Sequence, residues 1–322
     1  MGNKWIEEEL EPGLRVSYGL KEELRSSSSK FQTVDVVDLE PFGRTLLIDG
    51  LIQSCQVDEF VYHESLVHPA LLAHPNPKQV YIGGGGEGST AREVLRHTTV
   101  ERCVMVDIDD DVVRFCRENL PENAEAFADS RLELVIDDAK AVLEQSPTGF
   151  DVIIMDLDDP LEGGPCYQLY TVEFYKMCLR KLNPGGIFVT QSGQAGVKRH
   201  DLVWAPVHTT LRQVFPAVRA YNQAVYSFMD EWGWNIAFTD PGQGELLTPE
   251  QVDQRIAERI KGGEAVLKFL DGESYRGLFS LSKVHRKTLA NEKRVLSKER
   301  GTFALMHSQG LCIANGSGNG SK

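Results

Sequence analysis

Carboxylates follow the apolar stretches of this chain where an α/β protein would place its chemistry. Glu87 comes after residues 80–82, Asp107 and Asp109 after 102–106, Asp137 and Asp138 after 132–136, and Asp156, Asp158 and Asp159 after 152–155. Ligands of open parallel sheets bind outside the carboxyl ends of the strands, so these acids would share one rim. They would raise one another's pKa values and destabilise the fold unless a cation binds among them. A metal would want His or Cys beside the acids or a dense oxygen cage, and no zinc or calcium-loop spacing is present. A polyamine or sulfonium fits better. Phe60, Tyr62, Tyr167, Tyr170, Trp232 and Trp234 could wall an alkylammonium chain, the alternative being ordinary core packing.

The glycine run Gly83-Gly84-Gly85-Gly86-Glu87-Gly88 lies between a buried strand and a helix and lets backbone approach a ligand. Asp107 follows at about 20 residues, where an acid would hold ribose hydroxyls, so the pair points to an adenosyl group. Glu87 would oppose a pyrophosphate, which argues against a nicotinamide dinucleotide. It would also repel the carboxylate of S-adenosylmethionine, a penalty that the decarboxylated form lacks. The plainer alternative makes Glu87 the first acid of the following helix, suited to its dipole.

The elements that must position these residues are legible from periodicity. Strands at 80–82, 104–107, 132–136, 152–156 and 187–190 alternate with helices at 90–96, 110–119, 139–145 and 172–182. This predicts an α/β fold, a doubly wound parallel sheet of the Rossmann-like, methyltransferase type. A helix at 201–215 and strands at 218–227 and 235–239, a hairpin at the sheet edge, complete it. Ahead of it, short strands at 31–39, 44–48 and 51–55 predict a small N-terminal antiparallel β domain, with the serines 26–29 as a loop and 58–69 as a connecting helix. Beyond Pro241 the pattern predicts a helix at 248–261, short strands at 266–270 and 277–280, and a basic helix at 284–292. The expected domains are 1–74, 75–308 and a flexible tail at 309–322.

A formal net charge of −13 disfavours nucleic acid and anionic membrane and suits a polycationic substrate. Six cysteines without Cys-x-x-Cys spacing read as reduced thiols, and the acidic N-terminus lacks an apolar signal core, which predicts a cytoplasmic protein.

These residues resemble the aminopropyltransferases, the polyamine synthases, through Asp49-Gly50-Leu51-Ile52-Gln53, Asp58-Glu59-Phe60-Val61-Tyr62-His63-Glu64, the glycine loop and Asp156-Leu157-Asp158-Asp159-Pro160. Within that family the chain is similar to the thermospermine synthases of plants, in His63–Pro69, Glu162-Gly163-Gly164-Pro165-Cys166-Tyr167, Gln191-Ser192-Gly193, Asp230-Glu231-Trp232-Gly233-Trp234 and the stretch 267–274. The resemblance implies aminopropyl transfer from decarboxylated S-adenosylmethionine, a co-substrate and not a cofactor, to an amine acceptor, with release of methylthioadenosine. It implies Asp156 as catalytic acid/base. The donor would be held by Gln32, Tyr62, His63, Gly84, Gly86, Glu87, Asp107, Ile108, Asp137 and Asp138. Tyr62, Asp159, Tyr226, Glu231 and Trp232 would meet the acceptor amine, and a homodimer or homotetramer would form through the N-terminal strands. Spermidine synthases usually carry Asp-Ser-Ser-Asp at 156–159, Gln at His63 and Tyr at Glu231. The added acids here imply spermidine as acceptor, with spermine or spermidine synthesis as the alternative. A methyltransferase and a non-catalytic polyamine-binding paralogue are the rivals from other classes.

Overall fold

The computed structural model describes residues 4–11, 13–147, 149–160 and 165–299. Residues 162–164 of the second motif group and the 309–322 tail lie outside them. The chain forms two compact units, residues 4–59 with Tyr226–Phe228, and Phe60–Val225 with residues 229–299.

The smaller unit is an antiparallel meander of β1 (Lys4–Glu11), β2 (Leu14–Ser28), β3 (Thr33–Leu39), β4 (Gly43–Ile48) and β5 (Leu51–Cys55), paired in chain order. Its alternating apolar residues, among them Ile6, Tyr18, Val37, Leu39, Leu47 and Ile52, bury one common cluster. The serines expected to form a loop instead end β2. Ser26, Ser27 and Ser28 pair with Asp35, Val34 and Thr33, so ladder bonds override the weak strand propensity of serine.

In the larger unit, α1 (Glu59–Ala73) leads into β6 (Gln79–Gly84), α2 (Ser89–Leu95), β7 (Arg102–Asp107), α3 (Asp110–Asn119), α4 (Ala124–Ala128), β8 (Leu132–Ile136), α5 (Ala139–Gln145), β9 (Phe150–Asp156), α6 (Val172–Lys181) and β10 (Leu182–Gln194). Then come α7 (Trp204–Leu211), β11 (Ala217–Val225), β12 (Asp230–Phe238), α8 (Pro249–Arg259), α9 (Gly272–Leu278) and α10 (Lys283–Asn291). Helix α1 begins at the junction of the two units and runs on into the larger, whereas the sequence groups it with the N-terminal strands. The seven-stranded sheet has the order β11-β12-β10-β9-β6-β7-β8. Strands β10, β9, β6, β7 and β8 are parallel, and β12 and β11 add the expected antiparallel hairpin at one edge. The fold class is therefore the expected one.

Helix starts follow side-chain chemistry. Asp109 caps α3, accepting N–H bonds from Asp111 and Val112, and Asp138 caps α5 in the same way. Two expected strands are absent. Residues 263–266 form a 3-10 turn and 272–278 form α9, because Asp271 and Ser274 make a capping box that starts a helix where apolar residues alone suggest a strand. The intervening backbone is held by Glu64. This carboxylate is 1% exposed and accepts the N–H groups of Lys268, Phe269 and Leu270 at 2.8, 3.0 and 2.8 Å. Glu64→Ala would strand three donors at once, and we expect a stability loss on the order of 3 kcal/mol, read as a lower urea midpoint. An unchanged midpoint would show that water replaces the carboxylate at no cost.

Candidate active site

Strand β6 is the point at which the chain changes direction across the sheet. From it the path moves outward to β7 and β8, then returns to β9 on its other side. Such a switch point opens a crevice at the carboxyl ends. Gly84 pairs with Asp156 across it, and Gly85 N–H donates to the Asp156 carbonyl at 3.1 Å. Gly84 has φ of +83°, and a Cβ there would lie 2.0 Å from that carbonyl oxygen. At Gly86 a Cβ would lie 2.6 Å from Asp107 Oδ2, the oxygen that accepts Gly86 N–H at 3.0 Å. Glycine is thus required at both positions, by backbone shape at one and by close approach at both.

Asp156 ends β9 with both oxygens engaged. Tyr62 on α1 donates its phenol to Oδ1 at 2.7 Å, and Thr90 on α2 donates its hydroxyl to Oδ2 at 2.5 Å. Burial pushes the Asp156 carboxyl up, against the charge of His63 and these two hydrogen bonds, which hold it down; Glu87 pushes it further up. Burial and the neighbouring Asp156 carboxylate likewise raise Tyr62 well above the ordinary phenol range, so it remains a donor. Its ring lies 5.7 Å from Trp234 and 5.0 Å from His63. The group is a carboxylate with raised basicity, oriented by two O–H donors, which suits a general base.

Glu87 faces His63, with Oε1 to Nε2 at 3.2 Å and both side chains nearly buried. The loop carrying Glu87 is held from behind. Asn123, fully buried, donates through Nδ2 to the Glu87 carbonyl at 2.9 Å and to Ser89 Oγ at 3.0 Å. Its Oδ1 accepts from Arg92 at 2.8 Å, Arg92 reaches Glu93 at 2.8 Å, and Glu93 meets His68, which meets His97. Burial raises Glu93, yet His68, Arg92 and Arg96 together hold it below the usual carboxylate range. A continuous polar chain therefore anchors the glycine loop.

On the other side of β6, Asp107 accepts N–H bonds from Gly86 and from Asp109. Burial pushes its carboxyl up while those two bonds restrain it. Asp107 stands opposite Ile136 in the β7–β8 register. Ile108 and Ile136 are exposed, unusual for isoleucine at strand ends, and they flank Asp107 with exposed Asp137 and Asp138. Asp137 accepts Asp138 N–H at 2.7 Å, and Asp138 is occupied as the α5 cap.

Beyond Asp156, Gln191 organises the opposite wall. Its Nε2 lies 3.3 Å from Asp159 Oδ1 and 2.9 Å from the Tyr170 hydroxyl, and its Oε1 accepts from Trp232 Nε1 at 3.1 Å. Glu231 does not join this group. Strand alternation turns it to the other face of β12 from Trp232, where it accepts from Asn222 at 2.7 Å and stands 3.8 Å from His285. Gln32 and Tyr226 belong to the smaller unit, Gln32 closing a turn with Ser29 and Tyr226 standing 77% exposed. Reasoning from sequence gave no role to Thr90, Asn123, Ile136 or Gln191. Thr90 alone had a local signal, a hydroxyl just after the glycine loop. Among the described residues, no group of three or more His, Cys, Asp or Glu side chains is placed to hold a metal ion.

Comparison with known proteins accords with this geometry. Residues 59–243 match the spermine/spermidine synthase domain, and residues 4–59 match the spermidine synthase tetramerisation domain. The chain is 47% identical over 308 residues to the thermospermine synthase ACAULIS5 of Arabidopsis thaliana, covering 95% of this chain and 88% of that one. It is 40% identical over 301 residues to a polyamine aminopropyltransferase of Aeropyrum pernix, covering 93% and 95%. Among solved structures, a spermidine synthase in complex with the transition-state analogue AdoDATO superposes with a TM-score of 0.76 at 29% identity, covering 86% of this chain and 92% of that one. With an oriented carboxylate at the switch point and matches across both units, the chain belongs to the spermine/spermidine synthase family and is a polyamine aminopropyltransferase.

Proposed function

We propose that this enzyme transfers the aminopropyl group of decarboxylated S-adenosylmethionine to spermidine, giving thermospermine and methylthioadenosine. The observation that carries the reading is Asp156, held by Tyr62 and Thr90 within reach of the charges of both His63 and Glu87. Asp107 takes the ribose hydroxyls. Ile108 and Ile136 offer apolar surface to the adenine, with Asp137 and Asp138 at its polar edge, and Gly84 and Gly86 let the adenosyl group approach. Glu87, steadied by His63, holds the ammonium of the aminopropyl chain and disfavours a donor that still carries its carboxylate. Tyr62, Trp232 and Asp159 line the acceptor side. Gln32 and Tyr226 stay assigned to the donor and acceptor by the family resemblance alone.

An alkylammonium has a pKa near 10 and is not a nucleophile, so one proton must leave before attack. The sulfonium lowers the amine's pKa and burial raises that of Asp156, which narrows the gap from both sides. Asp156 takes the proton, the amine nitrogen bonds to the methylene carbon, and the carbon–sulfur bond breaks in line. The bonding electrons go to sulfur and neutral methylthioadenosine leaves. Alignment of the two substrates supplies much of the rate.

Spermidine as acceptor is supported by Asp158 standing beside Asp159 and by the likeness to a thermospermine synthase. We further propose a cytoplasmic homo-oligomer assembled through the β1–β5 sheet, which the match to a tetramerisation domain supports, with no nucleic acid or membrane partner. The acceptor is tested by incubating enzyme and donor with spermidine and, separately, putrescine, and resolving the tetraamines chromatographically. Thermospermine from spermidine is the expected product; spermine, or faster turnover of putrescine, would reassign the acceptor.

Asn123→Ala should weaken methylthioadenosine binding about tenfold, by loosening the Glu87 peptide, and leave the acceptor KM unchanged. Calorimetry with methylthioadenosine and initial rates against spermidine check this. An equal loss for both substrates would make Asn123 a general structural residue.

A further inference from the structure

A polar cavity of about 460 Å³ opens at the start of β11, away from the acidic rim, lined by His208 and Arg212 near the end of α7, Arg219 on β11, and Pro241, Gly244 and Glu245 beyond β12. Residue 217 pairs with 238, which pairs in turn with 187, so the cavity sits at the amino end of β10, opposite the end that carries Asp156. In a chain of net charge −13 it gathers two guanidiniums and an imidazole. The guanidinium of Arg219 spends only its Nε, on the Gly244 carbonyl at 2.9 Å. No carboxylate among the described residues pairs with Arg212 or Arg219, including Glu245 at the rim.

His208 is 7% exposed, and its tautomer follows from its neighbours. Asn235 Nδ2 donates to the Trp204 carbonyl and to Ser192 Oγ; a carbonyl can only accept, which fixes the amide's orientation. Asn235 Oδ1 therefore accepts from His208 Nδ1 at 3.0 Å, and Nδ1 carries the proton. Burial lowers the His208 pKa to about 4, and Arg212 and Arg219 push it the same way. At neutral pH the ring is uncharged and Nε2 presents a lone pair, bonded by no described residue. The cavity thus offers two cationic forks and one acceptor, a pattern matched by an anion that also has an O–H to donate.

We propose that this cavity binds a small phosphate-bearing anion, with Arg212 and Arg219 holding its charged oxygens and His208 Nε2 accepting from its P–O–H. Phosphate monoesters keep one such proton on about half the molecules near pH 6 and inorganic phosphate keeps at least one on every molecule there, whereas sulfate has none. Paired guanidinium bonds to phosphate oxygens are short and charge-assisted. The site lies apart from Asp156 and does not depend on the reaction assigned there.

Calorimetric titration of the full chain near pH 6 with inorganic phosphate, glycerol 3-phosphate and sulfate tests this. Saturable binding of either phosphate compound is expected, with sulfate weaker and with at least about tenfold loss in Arg212→Ala/Arg219→Ala, whose side chains are both exposed. Binding of glycerol 3-phosphate above inorganic phosphate would assign a monoester; the reverse would assign the free ion. His208→Leu should abolish the preference over sulfate, and the arginine variants keep the test decisive if that buried substitution fails to fold. No saturable binding, or binding unaffected by removing both arginines, overturns the proposal, and equal binding of sulfate overturns the role of His208.

Discussion

Asp156→Asn is expected to lower kcat by about 10³-fold or more and to leave methylthioadenosine binding within about threefold of wild type. The amide has nearly the carboxylate's shape, so Gly84 and Gly85 keep their backbone contacts with residue 156. What it loses is basicity. It also cannot accept at both ends, so one of the two O–H donors, Tyr62 or Thr90, loses its partner. Tyr62→Phe should cost less, about tenfold in kcat, because it removes one orienting bond and keeps the base. The pH profile gives an independent check. Asp156 must be ionised to take the acceptor's proton, and the ammonium that gives it up titrates near pKa 10, so activity should climb with pH into the alkaline region. An acid optimum would remove amine deprotonation from the slow step, and near-normal turnover in Asp156→Asn would remove Asp156 from the role of base.

Glu87→Gln should raise the KM for decarboxylated S-adenosylmethionine by roughly 10- to 100-fold while methylthioadenosine, which carries no ammonium, binds as before. The contrast between the two ligands isolates the charge. The same variant should bind intact S-adenosylmethionine better than wild type does, because the repulsion toward its carboxylate is gone. His63 makes the substitution more than a loss of one contact. Its ring stands 3.2 Å from Glu87 and its charge also reaches Asp156, so removing the Glu87 carboxylate leaves His63 to act on Asp156 alone. Unchanged discrimination between the two donors in Glu87→Gln would return Glu87 to the plainer role of a helix-start acid.

Much of this site could be read from residue order because the parallel sheet converts sequence position into place. Acids that directly follow strands land on one rim, and Glu87, Asp107, Asp137 and Asp156 do so. Helices with a capping acid, such as those after Asp109 and Asp138, were equally legible. The readings that failed depend on partners distant in sequence. Ser26 to Ser28 become strand only because β3 is there to pair with them. Residues 267–270 form an irregular, bent segment held by Glu64, 204 to 206 positions earlier. Glu231, which the resemblance assigns to the acceptor amine, meets Asn222 across the β11–β12 pair and stands 3.8 Å from His285, contacts that its neighbours in sequence do not announce. The sequence assigns no role to Asn123, nor to Gln191 although it stands in one of the motifs, for a related reason. An amide carries no local signal of its role, which here is set by what meets it across the fold.

The most direct test of the central claim is to follow methylthioadenosine release and acceptor consumption together, supplying decarboxylated or intact S-adenosylmethionine with spermidine. Aminopropyl transfer predicts one methylthioadenosine per tetraamine formed from the decarboxylated donor, no turnover of the intact one, and loss of both products in Asp156→Asn. Methylation of the amine by intact S-adenosylmethionine, or binding of the decarboxylated donor without turnover, would contradict the account.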